Sequence, residues 1–144
     1  METRIKIDET EPKAFQAMLG LESYINATEL DQTLKKLIKI RSSQINGCAF
    51  CIEMHTNEAR TAGETDQRMH AIAAWKESPL FSELERMVLT ITEELTLVSN
   101  GGLSKEIYNK AIKLLGENQL AQCIMQVVTI NAWNRIAVAT KMVH

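Results

Sequence analysis

Cys48-Ala49-Phe50-Cys51-Ile52-Glu53-Met54-His55 places two thiols three residues apart and an imidazole four residues after the second. On a helix, positions three and four apart are neighbours, so the spacing predicts one face for all three groups. Paired thiols exchange electrons through a disulfide, and an adjacent base makes the thiolate that starts the exchange. The motif therefore points to thiol redox chemistry. A thiol is mostly protonated at neutral pH, its ordinary pKa being about 8.5. Unpaired N–H groups at a helix start favour the thiolate. Cys48 falls at the first turn and Cys51 one turn on. His55, a turn beyond Cys51, is placed to take its proton directly or through a water. Cys51 is thus the expected nucleophile, and Cys48 the resolving thiol that closes a disulfide on oxidised Cys51.

Two blander readings compete. Two cysteines and one histidine supply three zinc ligands, whereas structural sites use four. Cys123, His70 and His144 are the remaining donors, and none has a fitting spacing. Alternatively, both cysteines fill a core, as free cysteine often does. A histidine on the same face weighs against coincidence. The reading carries no metal and no cofactor.

The elements that must position this motif are helical. The chain has 144 residues, 45% hydrophobic and 24% charged, enough for one domain spanning 1–144 with a single core. It has two prolines and six glycines, and strong helix formers abound. Leu30, Leu34, Leu37, Ile38, Arg41 and Ile45 recur at helical spacing, with Thr28 as the expected cap. The motif helix runs from Cys48 to Ala62, started by Asn46-Gly47 and ended by Ala62-Gly63. A helix over 66–75 follows, and Pro79 opens the next segment. Leu84, Met87, Val88, Ile91, Leu95 and Val98 repeat the pattern until Asn100-Gly101-Gly102 stops it. Ser104 caps a helix ended by Gly116, and a last helix spans about 118–142, with Leu120, Cys123, Ile124, Val127 and Val138 inward. Residues 1–20 form an N-terminal extension or one more helix. The expectation is an all-α bundle of six or seven helices.

A formal charge of -2, without a long basic run, argues against nucleic acid as the main partner. No apolar stretch reaches the roughly 20 residues a membrane helix needs. The polar start, 1–12, lacks the core of a secretory signal, so the expected location is cytoplasmic. Among the other conspicuous residues, Asn131 and Asn134 are expected to tie helices together, and Cys123 to lie in the core. Trp75 and Trp133 suit core or interface anchors. Arg41, on an apolar stripe, calls for a buried acid or a neighbouring subunit, and exposed apolar residues such as Leu97 and Val128 hint at burial between subunits.

Residues 41–55, Arg-Ser-Ser-Gln-Ile-Asn-Gly-Cys-Ala-Phe-Cys-Ile-Glu-Met-His, resemble the alkylhydroperoxidase D-like group of the carboxymuconolactone decarboxylase family. Residues 74–86, then 89–96, and finally 130–135 (Ile-Asn-Ala-Trp-Asn-Arg) continue the resemblance, which covers about Leu21 to the C-terminus. It implies an all-helical fold assembling into homo-oligomers, trimers or hexamers. It also implies an antioxidant peroxidase that acts on a peroxide and is restored by an external dithiol. Carried over by position, Cys51 attacks the peroxide, Cys48 resolves and His55 supports proton transfer. The family commonly has a relay glutamate twelve residues before the first cysteine, where this chain has Lys36. An ordinary lysine cannot act as that base at neutral pH. Glu53 and Glu93 are the carboxylates considered as substitutes. Two other functions stay open: decarboxylation of a cyclic lactone acid, generally performed by members without the C-x-x-C pair, and a non-catalytic oligomeric module that senses oxidation.

Overall fold

The computed structural model describes residue 2 and residues 4–143. Seven α-helices account for the ordered elements, with no strand among the described residues. They are α1 (Ile7–Thr10), α2 (Pro12–Ala27), α3 (Gln32–Ile45), α4 (Ala49–Thr61), α5 (Asp66–Ala71), α6 (Glu83–Thr96) and α7 (Lys105–Thr140). Short 3₁₀ turns occupy Ile72–Ala74 and Val98–Asn100.

Helix α3 is the centre, packed against α4, α6 and α7. Its apolar residues serve two clusters. Leu34 and Ile38 join Val88, Ile91, Cys123 and Val127 on one side. Leu37 and Ile40 join Ala59, Ile72, Trp75 and Leu89 on the other. A helix apolar around much of its girth must be enclosed by neighbours, and here three enclose it. The polar side left over carries Lys36 and Lys39, which line a cavity described below.

The helix ends follow side-chain chemistry, with corrections to the expected bounds. The Asp31 carboxylate accepts from the Thr33 and Leu34 amides and caps α3. Thr28 instead closes α2, its amide donating to the Ile25 carbonyl at 3.2 Å. Asp therefore takes the capping place expected for Thr28, three residues further on. Helix α2 runs through Gly20, where the N-terminal segment was expected to end. One interior glycine costs a helix only about 1 kcal/mol, less than the packing of α2 on α7 supplies. Pro79 lies in a turn, and α6 begins instead at a capping box formed by Ser82 and Glu85. Gly116, at φ +76, breaks α7 into arms 105–115 and 117–140, as its sequence position suggests. Val98 and Val138, expected inward, are 58% and 41% exposed. Val98 has left the α6 stripe because the helix ends at Thr96.

Candidate active site

The motif is set by the turn between α3 and α4. Gly47 takes φ +65, a left-handed conformation that favours glycine. Cys48 then sits in extended geometry as the N-cap of α4, one position before the helix rather than inside its first turn. Its Sγ accepts from the Cys51 amide at 3.3 Å. Cys48 and Cys51 are joined as a disulfide, with Cα atoms 5.3 Å apart. Both are 2% exposed, packed on Ala137 of α7 and on Phe50. Cys51 nevertheless reaches a cavity of about 570 Å³, which His55 also lines.

His55 is buried, and its Nδ1 lies 2.9 Å from Glu58 Oε2. Lys39 Nζ approaches the same oxygen at 3.5 Å. Burial pulls the His55 pKa below its ordinary value and Lys39 pushes the same way, while the Glu58 hydrogen bond only partly offsets them. Burial raises the Glu58 pKa, but the His55 hydrogen bond and Lys39 outweigh that, leaving it below the usual carboxylate range. Glu58 is thus ionised and accepts, so Nδ1 carries the proton. A neutral ring protonated on Nδ1 has Nε2 as its basic nitrogen.

Glu58 is the residue sequence reasoning missed. Its signal was present: Glu58 follows His55 by three residues, on the neighbouring helical position. The considered substitutes are not at the cavity. Glu93 is held between α3 and α6 by Trp75 Nε1 at 2.8 Å, Arg41 Nη2 at 3.0 Å and Lys76 Nζ at 3.1 Å. Burial raises its pKa, yet these donors more than compensate and lower it. It is the acid that Arg41 required. Glu53, two residues from Cys51, is exposed and points off the cysteine face. Lys36, at the position of the family's glutamate, does line the cavity.

Asn131 and Asn134 belong to a polar seam beneath the motif. The Asn46 amide donates to both side-chain oxygens, each at 3.0 Å. Asn134 Nδ2 donates to Ser43 Oγ at 3.1 Å, and Asn131 Nδ2 to Thr96 Oγ1 at 3.2 Å. Thr96 and Ser42 hydroxyls meet at 3.0 Å. The seam locks the end of α3, and hence the Cys48 turn, onto α6 and α7. Trp133 borders the cavity, stacks edge-on with Phe15 and donates to Glu22 at 3.0 Å. Cys123 is a core residue whose thiol burial pushes up to about 12. His70 is exposed on α5, and His144 lies outside the described residues. Neither Cys123 nor His70 approaches the motif.

Comparisons with known proteins agree with this architecture. Residues 12–94 match the profile of the carboxymuconolactone decarboxylase family. The uncharacterized protein YdfG of Bacillus subtilis (strain 168) is 37% identical over 139 residues, 96% of this chain and 95% of that protein. A crystal structure from Agrobacterium tumefaciens, of a protein of unknown function proposed to be the antioxidant defence protein AhpD, superposes with a TM-score of 0.95. It is 34% identical, covering 99% of this chain and 98% of that one. The debrominase Bmp8, solved with 2,3,4-tribromopyrrole, shares the fold at a TM-score of 0.82 and 21% identity, covering 94% and 72% of the two chains.

Proposed function

The chain belongs to the carboxymuconolactone decarboxylase family, and we propose that it is a thiol-dependent peroxidase of the AhpD-like kind. The observation that carries this reading is the shared cavity of Cys51 and His55, with the imidazole tied to Glu58 and Cys51 already bonded to Cys48. In the reduced protein, His55 Nε2 takes the Cys51 proton. The thiolate attacks the terminal oxygen of a hydroperoxide, the O–O bond breaks, and the proton returns to the leaving alkoxide as an alcohol. Cys51 is then a sulfenic acid. The Cys48 thiol attacks its sulfur and releases water, leaving the disulfide. An external dithiol reduces that bond by exchange, itself becoming a disulfide. The oxidant is reduced by two electrons, which the dithiol supplies.

Two features favour Cys51 as attacker. It reaches the cavity, and it is one turn from His55, which lines the same cavity. Cys48 lies behind it against Ala137. Lys36 adds a positive charge to the cavity where the family's glutamate would act, and Glu58, through His55, provides the carboxylate side of the relay. The homo-oligomer expected for the family remains part of the proposal. Exposed Leu97 and Val128, at 44% and 46%, support it. Steady-state peroxide consumption with a dithiol donor tests the function. Wild type should turn over and Cys51→Ser should not, and equal rates in the two would end the reading.

A further inference from the structure

Glu58 Oε2 is a shared acceptor. His55 Nδ1 reaches it at 2.9 Å and Lys39 Nζ at 3.5 Å. Laid end to end, the two contacts keep the ammonium within about 6.4 Å of that nitrogen, close to the roughly 4–6 Å over which a charge shifts its neighbour's protonation. All three residues line the cavity that Cys51 reaches. The Lys39 side chain is 16% exposed, but that of Glu58 is 51% exposed. An ion pair this open on its acidic side adds little to stability. The effect of the cation falls instead on the neighbouring ring.

A carboxylate beside an imidazole does two things at once. Its hydrogen bond fixes which nitrogen carries the proton, and its charge favours the imidazolium. A general base needs the first and is spoiled by the second, because an imidazolium has no nitrogen left to accept with. A cation on the same oxygen separates the two. It leaves the Nδ1 hydrogen bond in place and offsets the charge that would draw a second proton to Nε2.

The other groups facing the cavity do not take that role. Helix α2 contributes Glu22, a further anion, and α4 contributes Cys51. The α7 wall of Gln126, Ile130, Trp133 and Ala137 is uncharged. Helix α3 contributes Lys36 and Lys39, and Lys39 is the one bonded to Glu58. Burial is the main cause of the lowered His55 pKa; Lys39 acts with it, while Glu58 and Glu22 act against it. Without Lys39, both carboxylates would favour the imidazolium against burial alone.

We propose that Lys39 is a positioning residue of the catalytic site, acting through Glu58: by sharing Glu58 Oε2 with His55, it keeps the imidazole neutral, with Nε2 free to take the Cys51 proton. The kinetic consequence rests on the peroxidase reading. The effect on the ring's charge rests on the geometry alone.

Titration of the imidazoles by heteronuclear NMR, on the disulfide form, needs no turnover. His55→Gln identifies the His55 resonances, and His70, exposed on α5, serves as the internal reference. A unit charge at this separation, in a partly solvated setting, changes a proton equilibrium by roughly threefold to tenfold. His55 should therefore hold its proton more tightly by about that factor in Lys39→Met and in Lys39→Gln. Lys39→Arg should restore the wild-type titration. Lys39→Gln keeps a donor for Glu58 without the charge, and it remains informative if the methionine variant fails to fold. Steady-state peroxide consumption is the second arm. At pH 5 the kcat/KM of both neutral variants should fall by up to the same factor, and the deficit should shrink as pH rises to 8. A shifted His55 titration in a protein that consumes no peroxide would sink the peroxidase reading and keep the Lys39 assignment. Turnover with an unmoved titration and an unmoved pH profile in the neutral variants would overturn the assignment and keep the peroxidase. A rate loss equal at every pH, or one that Lys39→Arg does not restore, would also overturn it, because it would mark a merely structural contact.

Discussion

Replacing Glu58 by glutamine removes one charge and leaves the shape of the side chain. Glu58 Oε2 holds His55 Nδ1 at 2.9 Å and also meets Lys39 at 3.5 Å. A neutral amide no longer stabilises the imidazolium, and its NH₂ group is able to donate to Nδ1, leaving the proton on Nε2. That tautomer cannot accept from Cys51. A hydrogen bond to a charged partner contributes about 1.5–3 kcal/mol. At about 1.4 kcal/mol per decade, its loss from the transition state lowers kcat/KM by roughly tenfold to a hundredfold. Stability should change by less than about 1 kcal/mol, because the Glu58 side chain is 51% exposed and exposed pairs contribute little. The pH profile carries a second signature. Glu58 raises the His55 pKa against the downward pull of burial and Lys39, so its removal should shift the acid limb of kcat/KM to lower pH. Peroxide consumption, followed from pH 5 to 8 at saturating dithiol, reads both effects. The double variant with His55→Gln should be no slower than His55→Gln alone, since the two residues act as one unit. Wild-type kcat/KM with an unmoved profile, or additive losses in the double variant, would refute the relay.

Other consequences follow from the same geometry. Asn134→Leu should cost about 1–3 kcal/mol in urea unfolding, because it removes two buried hydrogen bonds, to the Ser43 hydroxyl and from the Asn46 amide, although those groups keep the Lys39 carbonyl and Asn131 as partners. It should also slow disulfide formation by loosening the Cys48 turn, whereas a loss below about 0.5 kcal/mol would show that the seam carries no load. Acid should destabilise the fold in two stages. The lowered His55 pKa means the unfolded chain binds a proton first as pH falls through about 6.5, so stability drops there until the folded pKa is passed. The lowered Glu58 and Glu93 values keep their contribution above about 4.5 and lose it as pH falls through their folded pKa values. A melting temperature independent of pH between 7 and 2 would contradict both stages. Iodoacetamide at pH 8 should label Cys48 or Cys51 of the reduced native protein and spare Cys123, whose thiol is held at about 12; mass mapping that finds Cys123 labelled first would contradict its burial.

Helical spacing made Cys51 and His55 legible as neighbours on one face of α4, and the stripes of α3, α6 and α7 were legible for the same reason, whereas Cys48 meets Cys51 from the extended N-cap that precedes the helix. What escaped the sequence was mostly the ends and the partners. Thr28 and Asp31 are both good caps, and only the packing of α2 against α7 decides that the first ends a helix and the second begins one. Gly20 read as a stop because local propensity opposes a mid-helix glycine, and tertiary burial of Ile25 beyond it overrides that. Glu58 was hidden among eighteen acidic residues, although its spacing from His55 was available. Lys39 could not have been singled out at all. A lysine on the polar side of a helix is ordinary in sequence, and only coordinates place its ammonium on the oxygen that holds His55. The seam through Ser43, Asn46, Asn131 and Asn134 joins residues up to 91 apart in sequence, a proximity that no local pattern encodes.

Trapping the first oxidised species tests the central assignment most directly. Cys48→Ser, reduced and then treated with one equivalent of hydroperoxide in the presence of dimedone, should carry the dimedone adduct on Cys51. The converse variant, Cys51→Ser, should leave Cys48 unlabelled on the same timescale. An adduct on Cys48 in the second variant, with none on Cys51 in the first, would contradict the account.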